Sequence, residues 1–333
     1  MTNSSKLLFS YILFASTIIT LSSSNWLGMW MGLEMNLMSF IPLISKNKDK
    51  KSSQAMIIYF LTQSIGSMLF IFSIFINHLI FMLPNELNEM MNMMIMVSMM
   101  IKVGAAPFHF WLPEMMANLD WMKCILLMTW QKVAPLSIMY NLMPNNWFFY
   151  LSILLSSMIG GLGGLNQTSL RKIFAYSSIN HLSWMMMFMS FSASWPKYLI
   201  IYSIMVIMIC SFFSMKKIYF INQLNSSTPS ITEKFTCISL MLSMGGLPPF
   251  LGFFPKWMVI QSMINSEMFL IILLMMMFSL LTLFYYLRIM INYTMFFSTM
   301  NKINQNNNYY NMKTYYILII NFMMPALLTM NFM

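Results

Sequence analysis

The chain has 333 residues, of which 59% are hydrophobic and only 8% are charged, whereas about 25% of the residues of a soluble globular protein carry a charge. A water-soluble surface cannot cover so much apolar side chain, and the same hydrophobicity excludes a disordered chain. Three cysteines within apolar runs cannot form the disulfide framework of a small secreted protein. The composition therefore predicts that the solvent of this protein is lipid.

Eleven stretches of the sequence have the length of about 20 mainly apolar residues that a membrane-spanning helix needs. They cover residues 6–23, 26–45, 54–82, 90–111, 121–143, 147–164, 171–192, 198–221, 235–263, 267–292 and 313–331. The connections are short, and none is long enough to separate two domains. We therefore predict an all-α polytopic membrane protein with one integral membrane domain over residues 1–333.

The basic residues alternate strongly between successive connections of the predicted bundle. The N-terminus and every second connection, with the adjoining helix edges, hold fourteen of them, whereas the other connections hold only Lys197. The fourteen are Lys6, Lys46, Lys48, Lys50, Lys51, Lys123, Arg171, Lys172, Lys216, Lys217, Lys234, Arg288, Lys302 and Lys313. This bias places the N-terminus on the positive side and, after eleven spans, the C-terminus on the opposite side. The net charge of +10 thus concerns membrane orientation, and we expect no nucleic-acid partner.

Four ionisable residues remain inside predicted spans, namely Glu34, Lys102, Lys132 and Lys256. An ionisable group near the centre of a bilayer costs about 2.5–3.5 kcal/mol on insertion scales. Any one of them is also explained by a side chain that extends to the interface or by a structural ion pair. Four such groups in one chain favour a functional role.

Each embedded lysine lies close to residues that interrupt helices. Lys102 precedes Pro107, and Lys132 precedes Pro135; each proline removes the N–H partner of a carbonyl four residues earlier. The span that carries Lys256 contains a larger set, which is Gly245, Gly246, Pro248, Pro249, Gly252 and Pro255. Unpaired backbone at membrane depth is tolerated only inside protein or beside water. The pattern therefore predicts a hydrated polar path at mid-membrane.

Burial disfavours the charged form of a lysine, and a nearby carboxylate favours it. If Glu34 faces Lys102, separation of the pair should expel the proton of the lysine. His181 shares one helix face with Ser177, Asn180 and Trp184, and a neutral imidazole there relays protons between lysines. His109, two residues after Pro107, has a similar but weaker claim. The alternative, a histidine that only hydrogen-bonds a neighbouring helix, stays open.

The sequence has no CxxC pair, haem motif, dinucleotide fingerprint or cluster of copper ligands. We therefore expect no cofactor and no metal in this chain, and redox chemistry, if any, elsewhere.

Six stretches of the sequence resemble the NADH dehydrogenase subunit 2 family of mitochondria, in order and at the expected spacing from about residue 20 to 290. They are residues 26–36 (WLGMWMGLEMN), 101–114 (IKVGAAPFHFWLPE), 129–136 (TWQKVAPL), 163–172 (GGLNQTSLRK), 175–181 (AYSSINH) and 245–257 (GGLPPFLGFFPKW). Members of this family are antiporter-like subunits of the membrane arm of respiratory complex I. The resemblance implies a proton-translocation core over about 20–290 and a C-terminal loop and last helix over about 291–333.

The resemblance also implies a fold with two broken helices that lacks the first three of the fourteen helices of the full-length family pattern. It places the protein in the mitochondrial inner membrane, with the N-terminus in the matrix and the C-terminus in the intermembrane space. The six residues that match family positions for proton translocation are Glu34, paired with the lysine at Lys102, then Lys132, Lys256 on the second broken helix, His181 and His109.

The expected function is that of a core subunit of a proton-translocating NADH:ubiquinone reductase. By resemblance, NADH, FMN, iron–sulfur clusters and ubiquinone belong to other subunits, and the partners are a neighbouring antiporter-like subunit, small core subunits of the membrane arm and membrane lipids. Two alternatives stay open: a free-standing cation/proton antiporter, and a structural spacer that retains its charges without using them.

Overall fold

The computed structural model describes residues 3–45, 49–79, 85–142, 147–224, 231–299 and 312–323. Within these ranges the chain forms α-helices and a single isolated antiparallel bridge, between Ser169 and Phe220. The helices are α1 (Asn3–Ser22), α2 (Trp26–Ile44), α3 (Lys50–Leu79), α4 (Asn85–Val103), α5 (Trp111–Asn118), α6 (Trp121–Met128), α7 (Trp130–Leu142), α8 (Trp147–Gly163), α9 (Leu170–Phe191), α10 (Trp195–Lys216), α11 (Ile231–Gly245), α12 (Phe253–Asn265), α13 (Phe269–Thr299) and α14 (Met312–Asn321).

Five of the described helices are long and apolar enough to cross a membrane. The qualifying segments are Ser4–Ser22, Trp26–Ile44, Lys50–Ile76, Trp195–Lys216 and Phe269–Ile291. The all-helical class predicted from the sequence is confirmed, and the number of eleven spans stays a prediction. The predicted span 313–331 lies partly outside the described residues, and the other predicted spans correspond to shorter, more polar or interrupted helices.

Three of the predicted spans have helix bounds that differ from the prediction. In the segment 90–111, α4 ends at Val103, and the short helix α5 follows after a non-helical stretch. The segment 121–143 consists of α6 and α7, which meet at Thr129. Pro135 lies inside α7 and does not end it, because one proline removes a single helix hydrogen bond. The segment 235–263 consists of α11 and α12.

By internal contacts the chain forms two compact units, residues 1–152 and residues 153–333, with the boundary inside α8. In the first unit α1 packs along α2, α3 packs against α4 and α5, and α7 contacts α2 and α4. Gly32 of α2 permits the close approach of α1, because a Cβ there would lie 2.4 Å from the Thr20 side chain and 3.0 Å from the Ser16 carbonyl oxygen. The one-domain prediction for 1–333 stays a prediction.

In the second unit α9 is the central helix, and it is buried along most of its length. It contacts α10, α12 and α13, while α11 packs against α13 and α14. Gly160 of α8 lies against the backbone of Asn180 in α9, and Gly161 lies against the Phe278 carbonyl oxygen in α13. The small residues of α8 thus permit close helix packing.

The two helix ends after α4 and α11 have the same local geometry. Gly104 and Gly246 each have φ of +78°, a left-handed conformation in which glycine has no steric penalty. After α4, the N–H groups of the glycine and of the next residue both donate to the Met100 carbonyl; after α11, they donate to the Leu242 carbonyl. A cis peptide bond before proline lies three residues after each glycine.

Candidate functional site

In the first unit, Lys102 of α4 and Lys132 of α7 line one cavity. The cavity has a volume of about 20 Å³, and a cavity needs roughly 10–15 Å³ to hold one water molecule. Both lysines are buried, with 6% and 2% of their surface exposed. The remaining polar side chains of the lining belong to Asn36, Tyr59, Gln63 and Gln131. The cavity therefore offers room and polar partners for water beside two buried amines.

Three of these lining side chains form a hydrogen-bonded chain. The Tyr59 hydroxyl donates to Oε1 of Gln131 at 3.2 Å, and Nε2 of Gln131 donates to Oδ1 of Asn36 at 2.8 Å. The chain links α3, α7 and α2. Because it sets the orientation of the Gln131 amide, it also sets which polar atoms face the cavity.

The position of Lys102 depends on neighbours from α3 and α5. Gln63 donates to the Lys102 carbonyl at 3.1 Å, and the Trp111 indole donates to the Ile101 carbonyl at 3.1 Å. These bonds satisfy carbonyls at the C-terminal end of α4 that have no partner within the helix. The Lys102 side chain lies along Gly66, where a Cβ would be 3.0 Å from its Cγ.

Glu34 lies on α2 and is partly exposed. It is close enough for an electrostatic interaction with Lys102 and with Tyr59. Among the described side chains, however, no ion pair within 4 Å joins Glu34 to Lys102. In this conformation the Glu34 carboxylate therefore interacts with Lys102 electrostatically, without direct contact.

In the second unit, Lys256 is held at the interruption between α11 and α12. Its side chain is 5% exposed, and Nζ donates to the Gly245 carbonyl oxygen at 2.9 Å. This carbonyl is at the C-terminal end of α11, where the helix dipole attracts a cation. The alkyl part of the Lys256 side chain passes over Gly246, where a Cβ would lie 2.9 Å from Nζ. The ammonium is also 6.0 Å from the centre of the Trp184 ring, within range of a cation–π interaction.

His181 lies in the middle of α9, one helical turn before Trp184. Nδ1 of His181 and the Tyr198 hydroxyl of α10 are 2.9 Å apart, and the His181 ring centre is 5.0 Å from that of Tyr202. On the same face of α9, Oδ1 of Asn180 and Nε1 of Trp184 are buried and have no hydrogen-bond partner among the described residues. The helix thus presents an acceptor and a donor one turn apart, and buried groups of this kind are commonly satisfied by water.

The structure therefore brings the sequence-predicted residues together in two sets. Lys102 and Lys132 share the cavity of the first unit, with Glu34 nearby. In the second unit, Lys256 lies 6.0 Å from the ring centre of Trp184, which follows His181 by one turn of α9. His109 does not line the cavity: its Nδ1 is 3.2 Å from the Pro107 carbonyl oxygen. The assignment of proton-translocation roles to all six residues stays a prediction.

The sequence analysis assigned no role to Gln63, Gln131, Asn36, Tyr59 or Tyr198. The first three carried a usable signal, since an amide within an apolar span is costly and is retained there with a polar partner. The two tyrosines carried none, because tyrosines are common in membrane helices. Across the described residues, no three His, Cys, Asp or Glu side chains are grouped as a metal site would require.

The transmembrane family model of NADH:quinone oxidoreductases and Mrp antiporters matches residues 23–282. The chain is 44% identical over 289 residues to NADH-ubiquinone oxidoreductase chain 2 of Locusta migratoria, covering 86% of this chain and 84% of the relative. It is 42% identical over 322 residues to the same-named chain of Anopheles gambiae, covering 95% and 93%.

Two solved structures share the fold. A chain of respiratory complex I from Thermus thermophilus matches with a TM-score of 0.78 and 20% identity, covering 87% of this chain and 70% of that one. A chain of the Mrp complex from Dietzia sp. matches with a TM-score of 0.75 and 14% identity, covering 84% and 59%. These two structures share the antiporter-like fold, and the family model and the insect relatives show that the chain belongs to the NADH:quinone oxidoreductase/Mrp antiporter transmembrane family.

Proposed function

We propose that the chain is a core membrane-arm subunit of proton-translocating NADH:ubiquinone oxidoreductase, and that its buried lysines carry protons. The insect relatives named as chain 2 of that enzyme support this assignment. NADH oxidation and quinone reduction take place in other subunits, which hold NADH, FMN, iron–sulfur clusters and ubiquinone. This chain contributes a path of protonatable groups.

The observation that carries the proposal is the shared cavity of Lys102 and Lys132. Two buried amines beside a space for water can exchange a proton through that water. If apolar side chains filled the space between them, no such exchange would be possible. The amide and phenol groups of the lining supply hydrogen bonds to water in the path. In the second unit, the unsatisfied atoms of Asn180 and Trp184 supply further water-binding positions beside His181 and Lys256.

Glu34 acts in this proposal as a switch for Lys102. Movement of the carboxylate toward the lysine favours the ammonium form, and movement away favours release of its proton. The absence of direct contact in the described conformation corresponds to the separated state of the switch.

The proposal includes eleven membrane spans, two of which are the broken helices α4–α5 and α11–α12. The first three helices of the full-length family pattern are missing. The alternation of basic residues supports an N-terminus in the matrix and a C-terminus in the intermembrane space of mitochondria. A neighbouring antiporter-like subunit, small core subunits and lipids cover the apolar outer surface, which includes the exposed side chains of Leu7, Tyr11 and Leu270.

The test replaces Lys102 or Lys132 by methionine in the assembled complex. Methionine keeps an unbranched side chain and removes the protonatable amine. The exposed Lys51→Met in α3 is the matched control. In sealed membrane vesicles, we expect both buried variants to lower the number of protons translocated per NADH oxidised, while Lys51→Met leaves it unchanged.

Assembly is measured in the same membranes by native electrophoresis. If both variants assemble and pump the wild-type number of protons per NADH, the lysines are not in the path, and the chain is a structural spacer. If Glu34→Gln pumps the wild-type number of protons, the proposed switch role of Glu34 is wrong, and the proposed lysine path is unaffected.

A further inference from the structure

His181 and Tyr198 form a hydrogen-bonded pair in the interior of the second unit. The side chains come from the middle of α9 and the first turns of α10, and they are 1% and 0% exposed. Their contact joins Nδ1 of the imidazole to the phenolic oxygen at 2.9 Å. This distance is that of a full hydrogen bond and not of a loose contact.

The hydrogen bond has a direction that can be inferred from the surroundings of Tyr198. Within the described residues, Nδ1 of His181 is the hydrogen-bond partner of the Tyr198 hydroxyl, and no other is recorded. The direction in which Tyr198 donates gives the buried phenol proton an acceptor in Nδ1. In that direction the proton of the neutral imidazole is on Nε2.

We propose that Tyr198 is a positioning residue for His181, which fixes the imidazole in the tautomer whose Nε2 carries the proton. The inference rests on the proposed proton-relay function of this chain. A proton enters the neutral imidazole only at Nδ1, where the phenol hydrogen of Tyr198 must first turn away, and the resulting imidazolium then releases its proton from Nε2. The Tyr198 hydroxyl thus favours the resting tautomer from which Nε2 is the site of release.

Tyr202 provides a matched comparison for Tyr198. It is on the same helix one turn later, it is equally buried, and its ring lies against the same imidazole at 5.0 Å between centres. The ring of Tyr202 packs against the imidazole, whereas Tyr198 places its hydroxyl at Nδ1. Tyr198→Phe and Tyr202→Phe therefore remove the same atom from two neighbouring rings, and only the first removes the hydroxyl at Nδ1.

The experiment measures protons translocated per NADH oxidised, the NADH:quinone reductase rate and the quinone KM in sealed vesicles containing the assembled complex. We expect Tyr198→Phe to lower the proton number at least about twofold with an unchanged quinone KM, and Tyr202→Phe to retain it. A wild-type proton number in Tyr198→Phe, or an equal loss in both variants, would overturn the inference.

Replacement of His181 separates positioning from structural support. His181→Asn places an amide near the position of Nδ1 and keeps a partner for Tyr198, but it has no group that relays a proton. We expect His181→Asn to assemble and to pump poorly, and Tyr198→Phe to add no further loss in that background, because residues that act as one unit are not additive. An additive loss would overturn the inference.

The same variants distinguish the two levels of the argument. If His181→Asn pumps the wild-type number of protons, His181 is not a relay, and both the proposed relay at this residue and the role of Tyr198 are wrong. If His181→Asn fails to pump while Tyr198→Phe pumps normally, the relay stands and only the positioning role is wrong.

Discussion

Substitution of the glycines at the interruption between α11 and α12 tests the geometry of Lys256. In Gly246→Ala, the new Cβ would lie 2.9 Å from Nζ, 2.9 Å from Cδ and 3.0 Å from Cε of Lys256. The end of the lysine side chain can move, so the clash itself is inexpensive. The movement, however, takes the ammonium away from the Gly245 carbonyl, which it contacts at 2.9 Å.

Two contributions set the size of the effect. A residue with a Cβ at φ of +78° loses about 1–2 kcal/mol relative to glycine. Loss of a hydrogen bond to a charged group costs about 1.5–3 kcal/mol. We therefore expect Gly246→Ala to destabilise the folded chain by about 2.5–5 kcal/mol and to reduce proton translocation by the complexes that still assemble.

The two neighbouring glycines of the same segment are the controls. Gly245→Ala places its Cβ 3.6 Å from Leu283, an ordinary contact, and Gly245 has no positive φ. Gly252→Ala places its Cβ 1.6 Å from the backbone oxygen of Ser243, which cannot move aside as a side chain does. We expect wild-type behaviour in the first variant and loss of assembly in the second.

The assay combines heat-induced loss of the complex on native gels with protons translocated per NADH in vesicles. The order of stability should be wild type and Gly245→Ala, then Gly246→Ala, then Gly252→Ala. If Gly246→Ala were as stable and as active as Gly245→Ala, the conformation of this segment and the contact of Lys256 with it would both be wrong.

Three further substitutions are expected to have effects of different kinds. Gly66→Ala should displace Lys102, since its Cβ would be 3.0 Å from Cγ of that lysine. We expect proton translocation to fall while stability, measured by heat-induced loss of the complex, changes by only about 1 kcal/mol. Unchanged pumping would contradict this. Gly32→Ala should separate α1 from α2 and lower the stability of the complex by about 1–3 kcal/mol. The midpoint temperature of heat-induced loss should fall accordingly, and a wild-type midpoint temperature would contradict the close packing of α1 on α2. Glu233→Gln removes the ion pair with Lys216 at 2.5 Å between α10 and α11; it should cost about 1–3 kcal/mol, and Lys216→Met in the same background should then add little.

The comparison of sequence with structure is clearest at the three buried lysines. The sequence identified them because charge is expensive in an apolar span, and this reasoning depends on composition alone. It also predicted interruptions next to Lys102 and Lys256 from glycine and proline, which act through local backbone geometry, and α4 ends at Val103 while α11 ends at Gly245. At Lys132 the same reasoning selected Pro135, whereas α6 and α7 meet at Thr129; a proline alone does not set where a helix ends.

The sequence by itself determined the helical class, the apolar solvent and the residues that cannot be buried without a partner. These properties follow from hydrophobic run length and from the cost of burying charge, which are local. Only the tertiary structure decided that Lys102 and Lys132 share a cavity, that Glu34 stands outside ion-pair distance, and that Tyr198 contacts His181. Such contacts join residues from separate helices. Their distances depend on how the helices pack, which the order of residues along one helix does not specify.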